Sequence, residues 1–224
     1  MPHGGSGQVT DLGREVPAAV VARLPELLRI LAGAADRGDF TISSDDLARS
    51  LDVSGAMVRK DLSFLGFAGT RGVGYDVAAL RYQITSVLGL TADRPVVIVG
   101  AGHLGQALAA YPGFADQGFR IAAVFDHDTA VIGAAVGPVE VQSSADIESV
   151  VQRLDVRMAI IAVPASAAQH IADRLVASGV VSLLNFAPVP LVVPDHVQVR
   201  RTDLAAELQI LAFHVRTQPA GAIS

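Results

Sequence analysis

The sequence predicts an α/β protein in two parts. A front with the element order of a winged helix-turn-helix leads into a doubly wound parallel sheet of Rossmann type, and one last helix closes the chain. Three observations carry this expectation. Helical spacing of apolar residues dominates positions 17–88, then gives way after residue 95 to apolar strands alternating with helices. The stretch "VVIVGAGHLG" at 96–105 runs a strand into a glycine-rich turn. Only "DVS" separates two capped helical segments in the front part. The expected divisions are a flexible tail at 1–16, the winged-helix unit at 17–88, a linker "GLTADRP" at 89–95, the Rossmann unit at 96–200, and a C-terminal helix with its tail at 201–224.

In chain order, Val20, Leu24, Leu27, Leu28 and Leu31 mark a first helix, which Pro25 should kink or split. Ser43 with Asp46 three residues on is a capping box for a short helix ending near Leu51. Ser54 caps the next helix, "GAMVRKDLSFL", which Gly66 stops. "FAGTRGVGYDV" reads as two short strands joined by a glycine turn, followed by a helix from Val77 to Leu88. Beyond the linker the expected strands are 95–99, 119–125, 157–163 and 180–185, with weaker ones near 138–141 and 197–200. Asp203 to about Val215 forms the last helix.

Composition narrows the function classes. With 51% apolar residues the 224-residue chain can build two cores, yet no apolar run reaches the ~18 residues of a membrane span, and no signal segment opens it. A cytoplasmic protein without membrane contact is expected. No cysteine is present, which removes disulfides and thiolate metal sites, and no metal is expected. The net charge of −5 argues against nucleic-acid binding by the chain as a whole. Residues 54–81 differ: Arg59, Lys60, Arg71 and Arg81 stand against Asp61 and Asp76.

That local excess falls on a plausible reading surface. At 100° per residue Val58, Leu62 and Leu65 share the core side of the third helix, while Ala56, Arg59, Lys60 and Ser63 share another arc. Arginine forks onto guanine, lysine reaches guanine or phosphate, and small side chains allow close approach. Ser54 sits at the helix start. Arg71, beside Gly72 at the expected hairpin tip, suits a narrow minor groove, and the Tyr75 hydroxyl suits a phosphate. A solvated basic face remains the plainer alternative for Arg59 and Lys60 taken alone.

The back half carries a dinucleotide fingerprint. Gly100, Gly102 and Gly105, with Ala101, His103 and Leu104 between them, fit G-x-G-x-x-G between a buried strand and a helix. Gly100 permits the turn, Gly102 lets backbone approach a pyrophosphate at the helix start, and Gly105 lets the helix pack on the sheet. Asp126, 21 positions after Gly105, ends the next strand and suits both adenosine ribose hydroxyls. It would repel a 2′-phosphate, which favours NAD(H) over NADP(H). His127 follows it. The later loops, with Val163 and Pro164 in one and Asn185, Ala187 and Pro188 in the other, are apolar and poor in acid–base groups. His196 and His214 have no carboxylate or lysine partner at a motif spacing, each histidine reads as a surface or packing residue, and no catalytic residue is expected. The cofactor site is built to bind rather than to turn over.

Together, "VRKDLSFLG", "GTRGVGYDV", "VGAGHLGQALAAYPGF", "FDHD" and "LLNFAPV" resemble the redox-sensing transcriptional repressors of the Rex family from about Pro17 to Val215. The resemblance implies a homodimer on a palindromic double-stranded DNA operator that senses NADH against NAD⁺ and is released by NADH. It implies a C-terminal helix exchanged between subunits. It also implies that the partner's Asp203 pairs with Arg29 in the DNA-bound form and with Tyr111 in the NADH-bound form; Asp203 as a simple helix cap is the competing reading. Some relatives carry an aromatic residue where this chain has Leu204. A dehydrogenase with an N-terminal cap and a binding module for a CoA-like nucleotide are the rival classes.

Overall fold

The computed structural model describes residues 16–217, in two compact units that part between Thr91 and Ala92. Residues 1–15 of the tail expected at 1–16, and the residues after 217, lie outside the described residues.

The first unit is helical. α1 (Ala18–Asp36), α2 (Ser44–Leu51), α3 (Gly55–Phe64) and α4 (Val77–Val87) enclose a core of Leu24, Leu27, Leu31, Leu47, Leu62 and Ile84. α1 runs unbroken through Pro25, so the helix is not split in two there. Pro25 lies on the exposed face, so the carbonyl that loses its N–H partner can turn to water. Both predicted caps form: Ser43 accepts the Asp46 N–H at 3.1 Å and Ser54 the Met57 N–H at 3.2 Å.

The expected hairpin does not form as two strands. Residues 70–74 close a tight turn with one bridge, Thr70 to Gly74, and the strand that follows pairs elsewhere. β1 (Thr41–Ile42) and β2 (Tyr75–Asp76) run antiparallel, joining Ile42 to Tyr75 across more than thirty residues of chain. Gly74, at φ +95°, makes this possible, because a Cβ there would stand 2.3 Å from the Ile42 carbonyl oxygen.

In the second unit the strands are β3 (Arg94–Val99), β4 (Phe119–Asp126), β5 (Ala135–Val136), β6 (Val139–Ser143), β7 (Met158–Ile161), β8 (Ser182–Asn185) and β9 (Gln198–Arg201). They form one sheet in the order β5-β6-β4-β3-β7-β8-β9, parallel except for β5, which is antiparallel to β6 and too short to read from sequence. Side chains of α7 (Ile147–Arg153) and α8 (Ala165–Ala177) cover one face, over Val97, Val99, Phe125 and Ile161. The other face packs Ala109 of α5 (His103–Ala109) and Phe114 of the short α6 (Gly113–Asp116) with Val96, Ile98 and Val124. The chain leaves β3 in one direction along the sheet, then returns to β7 on its other side. β3 is thus the switch point where ligands of such sheets bind. α9 (Leu204–Thr217) ends the described chain with most of its apolar side chains exposed. No helix among the described residues is long and apolar enough to cross a membrane.

Candidate functional site

At the carboxyl ends of β3, β4 and β7 a cleft of about 730 Å³ opens. Its floor is the glycine turn. Gly100 has φ +105°, and a Cβ there would meet the Ala162 carbonyl oxygen at 2.4 Å. A Cβ on Gly105 would stand 1.8 Å from the Gly100 carbonyl oxygen, so α5 and the turn touch backbone to backbone. Gly102 differs: it is extended at φ −67°, and a Cβ would have nothing within 4 Å. Its open side is room for a ligand, not for the chain.

Asp126 stands in the wall. Its Oδ2 accepts the Ala101 N–H at 2.6 Å, and its Oδ1 accepts the N–H groups of His127 and Asp128 at 2.7 and 3.0 Å. Burial alone would raise the pKa of this carboxyl. The three N–H bonds and nearby His127 outweigh it and hold the group below the ordinary carboxylate range. Asp126 is therefore a fixed anion at neutral pH. Of about four acceptor directions on a carboxylate, three are taken, which leaves one for a ribose hydroxyl rather than the two expected.

Gly100, Gly102, His103, Leu104, Asp126, His127, Val163 and Pro164 line the cleft, and the sequence had singled out each of them. Ala101, only 1% exposed, acts through its N–H, and Gly105 through the α5 contact. The loop after β8 is placed differently. Asn185, fully buried, donates to the Val189 carbonyl and accepts the Ala187 N–H, so both residues shape the loop from inside. Phe186 is the residue that lines the cleft; Ala187 and exposed Pro188 do not. Among the wall residues that the sequence did not single out are Ser144, His170 and Arg174, while Phe186 lies within the later loop that it did. His170 is exposed yet borders the cleft.

In the first unit α3 divides as its periodicity predicts. Val58 and Leu62 are 1% and 0% exposed, while Ala56, Arg59, Lys60 and Ser63 face water. Arg59 donates to the Ser44 hydroxyl at 2.7 Å, which orients it from α2. Lys60 and Arg71 make no ion pair with any described residue, and Arg71 and Gly72 are exposed in the turn. Tyr75 is a correction. It is 8% exposed and packs in the core with Ile42 and Val77, so its ring is first a structural group. Burial pushes its phenol up, with the Arg59 charge pulling the other way. Asp61, read as a countercharge, is 4% exposed and ties α3 to α1 through a two-point pair with Arg23 at 2.6 and 2.8 Å.

The three residues of the expected latch have local partners here. Arg29 pairs with Glu26 on its own helix, Nε to Oε2 at 2.9 Å. Tyr111 is exposed, its ring edge-on to Phe114 at 5.3 Å. Asp203 caps α9 by accepting the Ala206 N–H at 3.1 Å and pairs with Arg201.

Comparison with known proteins decides the family. Over 96% of its length the chain is 52% identical to the redox-sensing transcriptional repressor Rex of Streptomyces avermitilis, spanning 85% of that protein. It is 45% identical to that of Pelotomaculum thermopropionicum, over 90% of this chain and 94% of that one. The chain belongs to the Rex family. Residues 91–189 match the family described as "CoA binding domain", and residues 15–63 the family described as "Putative DNA-binding protein N-terminus". Among solved structures, the Rex-family repressor RSP bound to NAD⁺ and operator DNA is similar at a TM-score of 0.86. The two chains are 33% identical, over 91% of this chain and 94% of that one. RSP bound to NADH is similar at 0.82, over 91% and 95%. These matches fit the Rex fold assigned to both units.

Proposed function

We propose that this chain is a cytoplasmic DNA-binding repressor that reads the NADH/NAD⁺ ratio. As a homodimer it holds a palindromic operator and lets go when NADH binds. One observation carries the reading: an exposed basic arc on α3 shares the chain with a dinucleotide cleft that has a fixed ribose carboxylate and an apolar far end. Arg59 reads a base, Lys60 and Arg71 hold backbone or groove, and Ser54, Ala56, Ser63 and Gly72 allow close approach. Val163, Pro164 and Phe186 accept the neutral dihydronicotinamide and disfavour burying its cationic oxidised form. The chain is a regulator, not an enzyme. The partner's Asp203 leaves its cap to pair with Arg29 or with Tyr111, and this choice couples the two ligands.

Operator affinity with and without saturating NADH tests the reading. Arg59→Ala weakens binding by ~1–3 kcal/mol and relaxes base preference, Lys60→Ala flattens the salt dependence, and neither alters NADH calorimetry. Tyr111→Phe leaves basal operator binding intact and blunts the release by NADH. Equal affinity for NADH and NAD⁺ would sink the sensor, because such a ligand shifts nothing. Binding of CoA in place of NADH would favour the rival named by the matched domain family.

A further inference from the structure

Arg174 is a cation in the wall of the cleft, and NAD(H) as such has no use for one beside its ribose. The side chain projects from α8 and is 22% exposed. One edge of the guanidinium is already engaged. Nε and Nη2 bond both oxygens of Glu148 at 2.6 and 2.7 Å, and Nη2 also donates to the Ser144 carbonyl at 2.8 Å. That last bond fixes where the charge lies. Ser143, one residue earlier, pairs with Asp126 across β4 and β6. The guanidinium thus stands at the carboxyl end of β6, the strand paired with that of Asp126, and both groups line the cleft. A phosphate on the adenosine 2′-oxygen would arrive there.

Sites of this type choose between the two nicotinamide dinucleotides with a carboxylate that repels the 2′-phosphate or an arginine that receives it. This cleft contains both groups. Only the arginine is neutralised, by a two-pronged carboxylate that occupies one edge of the guanidinium. The same hydrogen bonds hold the Glu148 carboxyl below the usual carboxylate range, so the clamp is ionised at neutral pH. A tie between α7 and α8 is the plainer role for the pair, and it predicts equal effects on NADH and NADPH.

We infer that Glu148 determines nucleotide choice at a distance: by holding Arg174 it denies the cleft its acceptor for a 2′-phosphate and so reinforces Asp126. The inference rests on the cleft being the NAD(H) site.

Titration of the full-length protein with NADH and with NADPH decides it, using the ratio of the two affinities. Glu148→Gln frees the guanidinium and raises NADPH affinity relative to NADH about tenfold, the scale of one charge-assisted contact. Glu148→Asp keeps charge and helix but shortens the reach, and gives a smaller gain. Glu148→Gln/Arg174→Gln returns to the wild-type ratio. An unchanged ratio in Glu148→Gln, with NADH still bound, overturns the clamp, as does a gain that survives in the double variant. Should Glu148→Gln fail to fold, an unchanged ratio in Glu148→Asp overturns it equally. Wild-type protein that binds no NADH would remove the reading of the cleft itself, an outcome distinct from the others.

Discussion

α3 and α9 are both amphipathic-looking helices, yet their apolar residues end on opposite sides of the water boundary. Val58 and Leu62 of α3 are 1% and 0% exposed. Leu208, Leu211 and Phe213 of α9 are 67%, 58% and 61% exposed. α3 is finished by its own unit, where the core holds one side and the basic arc is left over for another molecule. α9 is unfinished. A contiguous apolar surface of that kind marks an interaction site, and the proposed homodimer supplies the surface it lacks.

The contrast can be broken from the α9 side with the largest effect. Leu208→Asp with Leu211→Asp removes two side chains whose burial is worth about 1.5–3 kcal/mol each. Sedimentation should show the dimer dissociation constant rising by roughly a hundredfold or more. A dimer that persists at wild-type concentrations would mean α9 is not the link between copies. On the α3 side, Asp61→Ala leaves the Arg23 guanidinium without its buried partner. Chemical denaturation should show a loss of about 2–4 kcal/mol, at or below the usual range for a broken buried pair because Arg23 keeps some access to water. Its oligomeric state should not change. Ser54→Ala is the mildest probe. Loss of the α3 cap costs about 1 kcal/mol and frays the first turn, so operator affinity drops a few-fold while NADH binding stays put. A wild-type melting curve would show that the hydroxyl carries no capping energy.

Local signals were the legible ones. The caps at Ser43 and Ser54 need only a hydroxyl three residues from an N–H, and β3, β4 and β7 announce themselves as apolar runs. β1 with β2 could not be read: a two-residue strand has no period, and its partner lies far along the chain. Tyr75 was misjudged for the same reason, since that pairing is what draws its ring into the core. The glycine turn and Asp126 follow a fixed spacing and were legible. Ser144, His170 and Arg174 come from another strand end and another helix, and only the sheet order brings them to the cleft. Asp61 and Arg23 are 38 residues apart, and an acidic residue beside two basic ones looks like a surface countercharge until packing encloses it.

The three glycines of the turn have different fates under genetic drift. Gly100 and Gly105 are held by the chain's own backbone, one against Ala162 and the other against Gly100, so any descendant that keeps this fold must keep both. A Cβ on Gly102 would meet no protein atom, so selection against a side chain there acts through whatever molecule fills the space above it. A lineage that gave up its nucleotide would shed the middle glycine first and retain the outer two. Position 102 is thus the place in the motif where ancestry and use can be told apart.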